Sequence, residues 1–302
     1  MRRLAGRRRL LPVVALVAIA GCGSTGLPGS TTAGHPVRVV AAENVWGDIA
    51  SQIGGRYVDV TSLISTPTED PHLFESDPED AAEVGAAQLV IENGLGYDDF
   101  VDRLLSAGSS AGGRLLSIQH VLGVTNGSAN PHLWYWTARL PEVADAIARQ
   151  LTAIAPAHAA TFRANARRFD RSLKPLLATI AQIRAKYAGT PIAYTERVPG
   201  YLVAAAGLRL ATPASFSQAI EDGNDPSPQD AAAFDADITD HRVKVLLYNS
   251  QVVDSQTTHI KQLAAAAHIP VVGVSETIPS GARDFQAWQL SQARALLTAL
   301  GG

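Results

Sequence analysis

From Pro141 to Tyr187 the chain carries Ala, Arg, Leu and Ile at helical spacing with hardly a turn residue, and on both sides short apolar runs alternate with amphipathic segments. Upstream, the pattern predicts strands over Val37 to Ala41, Val58 to Ile64, Gln88 to Glu92 and Leu115 to Ile118. Helices are expected between them, near Val45 to Ile53, Pro78 to Ala87 and Tyr97 to Ala107. Downstream, Pro191 to Thr195, Lys244 to Asn249 and Pro270 to Val274 read as strands, with helices near Gly200 to Ala206, Pro228 to Asp237, Gln256 to Ala267 and Asp284 to Leu300. Strands that alternate with helices form parallel sheets covered by helices. The expected class is therefore α/β, with an N-terminal lobe over 37–138, a helical segment over 139–188 and a C-terminal lobe over 189–302. Pro156 suits a helix start, so Ala157 to Tyr187 reads as one long helix of ~45 Å, able to join the lobes. Pro175 inside it predicts a bend or a break.

The first residues speak to location. Arg2, Arg3, Arg7, Arg8 and Arg9 precede an apolar run from Leu10 to Ala20, which closes on the small residues of Ile19-Ala20-Gly21-Cys22. This reads as a secretory signal peptide over 1–21, too short to span a membrane. Cys22 is the sole cysteine, which excludes an intramolecular disulfide. Small residues followed by Cys at the cleavage point look like a bacterial lipobox, in which Cys22 takes lipid and becomes the new first residue. Residues 22–36 are mostly Gly, Ser, Thr and Pro and read as a flexible tether. Loss of residues 1–21 leaves 20 Lys+Arg against 28 Asp+Glu, a formal charge of −8. An acidic surface argues against nucleic acid, which needs Lys and Arg to neutralise phosphates.

Two Pro-His dipeptides carry the chemistry: Asp70-Pro71-His72 and Asn130-Pro131-His132, the second leading into Leu133-Trp134-Tyr135-Trp136. Proline fixes its own backbone and restricts the residue before it, so each imidazole is offered from a stiff, non-helical corner. Ligands of open α/β sheets bind beyond the carboxyl ends of strands. His72 follows the strand ending at Ile64 and His132 lies beyond the one ending at Ile118, whereas Glu196 and Glu276 come one and two residues after the strands ending at Thr195 and Val274. Two imidazoles and two carboxylates suit a first-row divalent cation, and the acids cancel its charge. Calcium prefers an all-oxygen shell. Glu75 and Asn249 are candidate acceptors for the second ring N–H of the histidines, and the aromatic run at 134–136 is expected to wall the cleft or to pack on the long helix.

Each of these residues also has a plain structural reading. A histidine after proline is commonly a turn residue, Glu196 could favour a helix start and Glu276 could cap a turn toward Pro279. The stretch Gly108 to Gly112 matches G-x-S-x-G, but it precedes a strand instead of following one, and H-E-x-x-H is absent. A metal-dependent hydrolase nevertheless shares these ligand types.

The segments Glu69-Asp70-Pro71-His72-Leu73-Phe74-Glu75, Val90-Ile91-Glu92-Asn93-Gly94-Leu95-Gly96-Tyr97, Asn130-Pro131-His132-Leu133-Trp134-Tyr135 and the run into Tyr194-Thr195-Glu196 resemble the metal-binding lipoproteins that serve ABC importers for zinc and manganese. The likeness spans about Val37 to Leu300. It implies two α/β lobes joined by one rigid helix with a single metal in the cleft, no catalysis, delivery to a membrane permease, an extracytoplasmic lipid-anchored location and a monomer. It also implies His72, His132, Glu196 and Glu276 as ligands. Glu196 stands where zinc-type members usually carry histidine and manganese-type members carry glutamate, and Glu276 stands where the usual ligand is aspartate. The histidine-rich loop of some zinc members is missing. That ligand habit points to Mn2+, whereas the Irving–Williams order favours Zn2+ at equal concentration. A surface adhesin role belongs to some relatives. The helical-spine receptors for siderophores or cobalamin share the architecture but would not need acids and histidines facing inward from both lobes.

Overall fold

The central strands are short apolar runs because helices cover both faces of each sheet there; β1 (Val37–Glu43) has one exposed residue in seven. The computed structural model describes residues 35–66, 71–107 and 114–302. The expected signal peptide, tether and Cys22 lie outside the described residues, as do Glu69, Asp70 and the Gly108 to Gly112 stretch. After β1 come α1 (Asn44–Gly54), β2 (Val58–Ile64), α2 (Pro78–Ala86), β3 (Leu89–Glu92), α3 (Phe100–Ala107), β4 (Arg114–Ser117) and the single turn α4 (Ile118–Val121). Three helices follow: α5 (Leu140–Ile154), α6 (Ala159–Ser172) and α7 (Lys174–Tyr187). The remainder runs β5 (Pro191–Tyr194), α8 (Gly200–Ala205), β6 (Arg209–Leu210), α9 (Ala214–Glu221), α10 (Pro228–Thr239), β7 (Leu246–Asn249), α11 (Ser255–Ala266), β8 (Val271–Val274) and α12 (Phe285–Leu300).

Both sheets are fully parallel and share one topology, β2-β1-β3-β4 and β6-β5-β7-β8. In each lobe the chain therefore reverses its winding direction between the first and third strands, the place where open α/β sheets bind ligands. Helix starts follow local chemistry. Asp77 caps α2 and its own N–H donates in return to the Asp80 carboxylate, while Asp254, Ser227 and Asp284 cap α11, α10 and α12.

The long linking helix is divided. α6 ends at Ser172 and α7 begins at Lys174, with Pro175 in its first turn. Proline has no N–H to donate to the carbonyl four residues back, and its ring crowds that carbonyl. Leu173 bridges the two segments through a tighter bond from its N–H to the Asp170 carbonyl. The division falls where the support changes lobe, since α6 packs on α1 and α7 packs on α12. Two further differences are small: the two-residue strand β6 and helix α9 carry too few periodic residues to stand out in the sequence.

Residues 35–302 form one compact unit. A continuous apolar core runs through both lobes, from Val39, Trp46 and Ile91 through Trp134, Phe169 and Leu173 to Phe285, Trp288 and Leu296.

Candidate metal centre

Every residue of the expected constellation sits at or just beyond the carboxyl end of a strand or in a loop above it. Asn249 is the last residue of β7, Glu196 and Glu276 lie two positions past β5 and β8, and His72 sits in a single 3-10 turn, Pro71–Leu73, after β2. His132 enters a second such turn, Leu133–Tyr135.

Glu276 is the hub. It is fully buried, and its Oε2 lies 3.1 Å from His132 Nε2, 3.5 Å from His72 Nε2 and 2.7 Å from the Tyr97 hydroxyl, which donates to it. The ligand atoms of His72, His132 and Glu276 all fall within 4.8 Å of one another, the separation that bonds of about 2.0–2.2 Å to one shared ion require after slight contraction. Burial opposes the Glu276 charge, but the His132 hydrogen bond and charge, the His72 imidazole and the Tyr97 hydroxyl outweigh it and hold the carboxyl at about 2.

Asn249 occupies a different role from the one expected. Its Nδ2 donates to Glu196 Oε2 at 2.7 Å and to Glu276 Oε1 at 2.8 Å, so it bridges the two acids and does not accept from a histidine. Glu196, also buried, is thereby tied to Glu276 but stays outside the 4.8 Å cluster. Glu75 is not brought to the centre. Its carboxylate is exposed on a shallow cleft with Leu63, Ile64 and Phe74, and among the described residues it makes no hydrogen bond to either histidine.

The acceptor that orients His132 is Asn130. Its Oδ1 lies 2.7 Å from His132 Nδ1 and accepts the His132 backbone N–H at 3.0 Å, an Asx turn. Its Nδ2 donates to the Arg197 carbonyl at 2.6 Å, which fixes the amide orientation. His132 Nδ1 therefore carries one proton, and Nε2, which faces Glu276, is the nitrogen that a metal would take. The same amide links the His132 loop to the residue next to Glu196, and Gly200 is required there because a Cβ would lie 2.6 Å from Asn130 Nδ2. Tyr201 donates to the Asn130 carbonyl at 2.9 Å. The position directly before a Pro-His was the signal for this role. Gln251 was not legible as a site residue; its Oε1 accepts the backbone N–H groups of Glu276 and Thr277 at 2.6 and 3.0 Å and shapes the turn that presents Glu276.

Aromatic rings dry one side. Trp134 lies edge-on to His132 at 5.4 Å, to Tyr97 at 5.1 Å and to Trp46 at 6.1 Å. The other two members of the run turn away from the histidines: the Tyr135 hydroxyl lies within hydrogen-bond distance of Ser275 O and Gln292 Oε1, and Trp136 stacks on Tyr201 at 4.9 Å. The open side is a cleft of about 340 Å³ lined by His72, Tyr97, Pro131, Arg197 and Glu221. At its rim Arg197 makes two hydrogen bonds to Glu221, at 2.9 and 2.6 Å, so the cation at the mouth is neutralised.

Fold and site together define a two-lobed α/β protein with a buried histidine-carboxylate cluster between its parallel sheets. Residues 39–299 match the family described as zinc-uptake complex component A, periplasmic, and the chain belongs to that family. Among curated relatives, the manganese-binding lipoprotein MntA of Bacillus subtilis is 28% identical over 168 residues, covering 54% of each chain. The manganese ABC transporter substrate-binding lipoprotein PsaA of Streptococcus anginosus is 26% identical over 178 residues, 55% of this chain and 56% of the relative. The chain thus spans about half the length of the curated relatives it matches. The Mn-bound periplasmic metal-binding protein of Candidatus Liberibacter asiaticus shares the fold with a TM-score of 0.73 at 18% identity, over 87% of this chain and 99% of that one. FpvC of Pseudomonas aeruginosa in complex with Ni2+ does so with a TM-score of 0.72 at 21% identity, over 88% and 97%.

Proposed function

We propose that this protein is the extracytoplasmic substrate-binding component of an ABC importer, tethered by lipid on Cys22, which captures one Zn2+ or Mn2+ and passes it to a membrane permease without catalysis. The observation that carries this reading is the charge balance of the cluster. Glu276 and Glu196 are buried together, and their near neighbours are two imidazoles, a tyrosine hydroxyl and an amide. Buried acids need a compensating cation, and this donor set suits a first-row metal. In this account His72 and His132 bind through Nε2, Glu276 bridges toward both, and Glu196 becomes the fourth ligand by moving off Asn249. The rim Arg197, held by Glu221, and the apolar core common to both lobes favour release by a small tilt or loop movement of a monomer. The relatives named as manganese-binding lipoproteins support the cargo class. No helix among the described residues is long and apolar enough to cross a membrane.

The test is calorimetry on chelator-stripped protein with Zn2+ and with Mn2+, repeated on His72→Ala and Glu276→Ala. One-site binding lost in both variants supports the assignment. Unchanged affinity in Glu276→Ala removes the hub, and metal-dependent turnover of esters or phosphodiesters would favour a hydrolase instead.

A further inference from the structure

Behind the metal centre two more carboxyl groups are buried in contact. Glu43, the last residue of β1, is wholly buried, and Asp98, in the turn after β3, is 1% exposed. Asp98 has both oxygens occupied by backbone donors, Oδ2 by the Asn93 N–H at 2.6 Å and Oδ1 by the Gly94 N–H at 2.8 Å. Of the described residues' N–H groups only Glu43's own backbone one lies near its carboxyl, which is in hydrogen-bonding contact with Asp98. Two adjoining buried carboxyls cannot both ionise. The one holding two N–H donors gives up its proton first, and Glu43 keeps its own, which it donates to its neighbour.

Burial, with the Asp98 charge beside it, pushes Glu43 well above the usual carboxylate range, and burial lifts Asp98 to about 7. The charged groups acting on the pair are acidic too: Glu92 faces both, and Glu92 in turn faces Asp102, His120 and Asp99.

Asp98 closes a turn with three successive left-handed residues, Gly94 at φ +82°, Leu95 at φ +61° and Gly96 at φ +78°. A leucine in that region is strained and persists only where surrounding bonds hold it. Two arms leave this turn for the metal centre. Asn93 Nδ2 donates to the Pro131 carbonyl at 2.8 Å, one residue before His132, and the Tyr97 hydroxyl donates to Glu276.

We propose that Glu43 is a positioning residue: as a neutral acid it donates its proton to Asp98 and so fixes the turn that aims Tyr97 and Asn93 at Glu276 and the His132 loop. Its effect on metal rests on the function proposed above; its state as a buried acid does not. When the pair loses its shared proton, two adjacent charges are left without a donor between them, and the turn is driven open.

The experiment uses the full chain, stripped of metal, as wild type, Glu43→Gln and Glu43→Ala. Thermal unfolding is followed from pH 5.5 to 9, and Zn2+ affinity is measured at pH 7. The folded pair holds a proton that the unfolded chain has released, so the wild-type melting temperature is expected to fall as pH rises through this range. Glu43→Gln keeps a donor to Asp98 and leaves one titrating carboxyl where wild type has two; its melting temperature is expected to be flatter with pH, with Zn2+ affinity within threefold of wild type. Glu43→Ala is expected to lose at least tenfold in affinity. An infrared difference spectrum of wild type minus Glu43→Gln at pH 7 should show a protonated-carboxyl stretch, a reading that does not need the alanine variant to fold. Absence of that band, or a Glu43→Gln profile as steep as wild type, overturns the proposal. Undiminished affinity in Glu43→Ala overturns the positioning role. Failure of wild type to bind Zn2+ would sink the transport reading while the band and the slope still decide the state of Glu43.

Discussion

Replacing Asn130 by alanine isolates what the residue before the second Pro-His contributes. The change removes the acceptor for His132 Nδ1 at 2.7 Å and for the His132 backbone N–H at 3.0 Å, and the donor to the Arg197 carbonyl at 2.6 Å. Three modest hydrogen bonds and a buried ring N–H left without a partner are together worth about 2–4 kcal/mol of stability in the metal-free protein, allowing for non-additivity. The effect on metal comes through the ring. Without Asn130 the imidazole can rotate and take the wrong tautomer, and loss of such an outer partner typically costs about 10–100-fold in affinity, or about 1.4–2.8 kcal/mol. Asn130→Asp separates the two roles, because a carboxylate still accepts from His132 but no longer donates to Arg197. Calorimetry should therefore show Asn130→Ala weakened by 10–100-fold and Asn130→Asp within about tenfold of wild type, while both melt lower without metal. A folded Asn130→Ala protein with wild-type affinity would refute the reasoning.

Further outcomes follow from the same geometry. Imidazoles bind metal only when neutral, so affinity should weaken as the solution is acidified; constant affinity from pH 7.5 to 5.5 would contradict histidine ligation. The Glu276 carboxyl, lowered to about 2, contributes stability above the unfolded carboxylate value that is lost as pH falls through about 2, so acid unfolding of Glu276→Gln should be shallower below about pH 4.5. Asn249→Leu removes the amide between two buried acids and should lower the melting temperature of the metal-free protein more than that of the loaded one, so that the stabilisation by Zn2+ increases. Leu173→Ala, at the wholly buried junction of α6 and α7, should cost about 2–5 kcal/mol in urea unfolding without changing metal stoichiometry.

The two parallel sheets were legible because each strand is a short apolar run set between helices, a pattern that needs no knowledge of distant contacts. The position of the two histidines was legible for a local reason as well: proline announces a stiff corner. What escaped depends on distant partners. Asn249 and Glu75 looked equally able to accept from a histidine, and only packing shows that one points its amide at two acids while the other faces solvent. Tyr97 and Gln251 sit in loops whose sequence gives no hint that a hydroxyl will reach Glu276 or that an amide will shape its turn. The proline that divides the linking helix was visible, but the change of support from α1 to α12 at that point was not.

Anomalous diffraction from crystals of the chain loaded with Zn2+ or Mn2+ addresses the central claim most directly. One peak bonded to His72 Nε2, His132 Nε2, Glu276 and Glu196 at about 2.0–2.2 Å is the expected result. A metal bound elsewhere, with these four side chains unliganded, would contradict it.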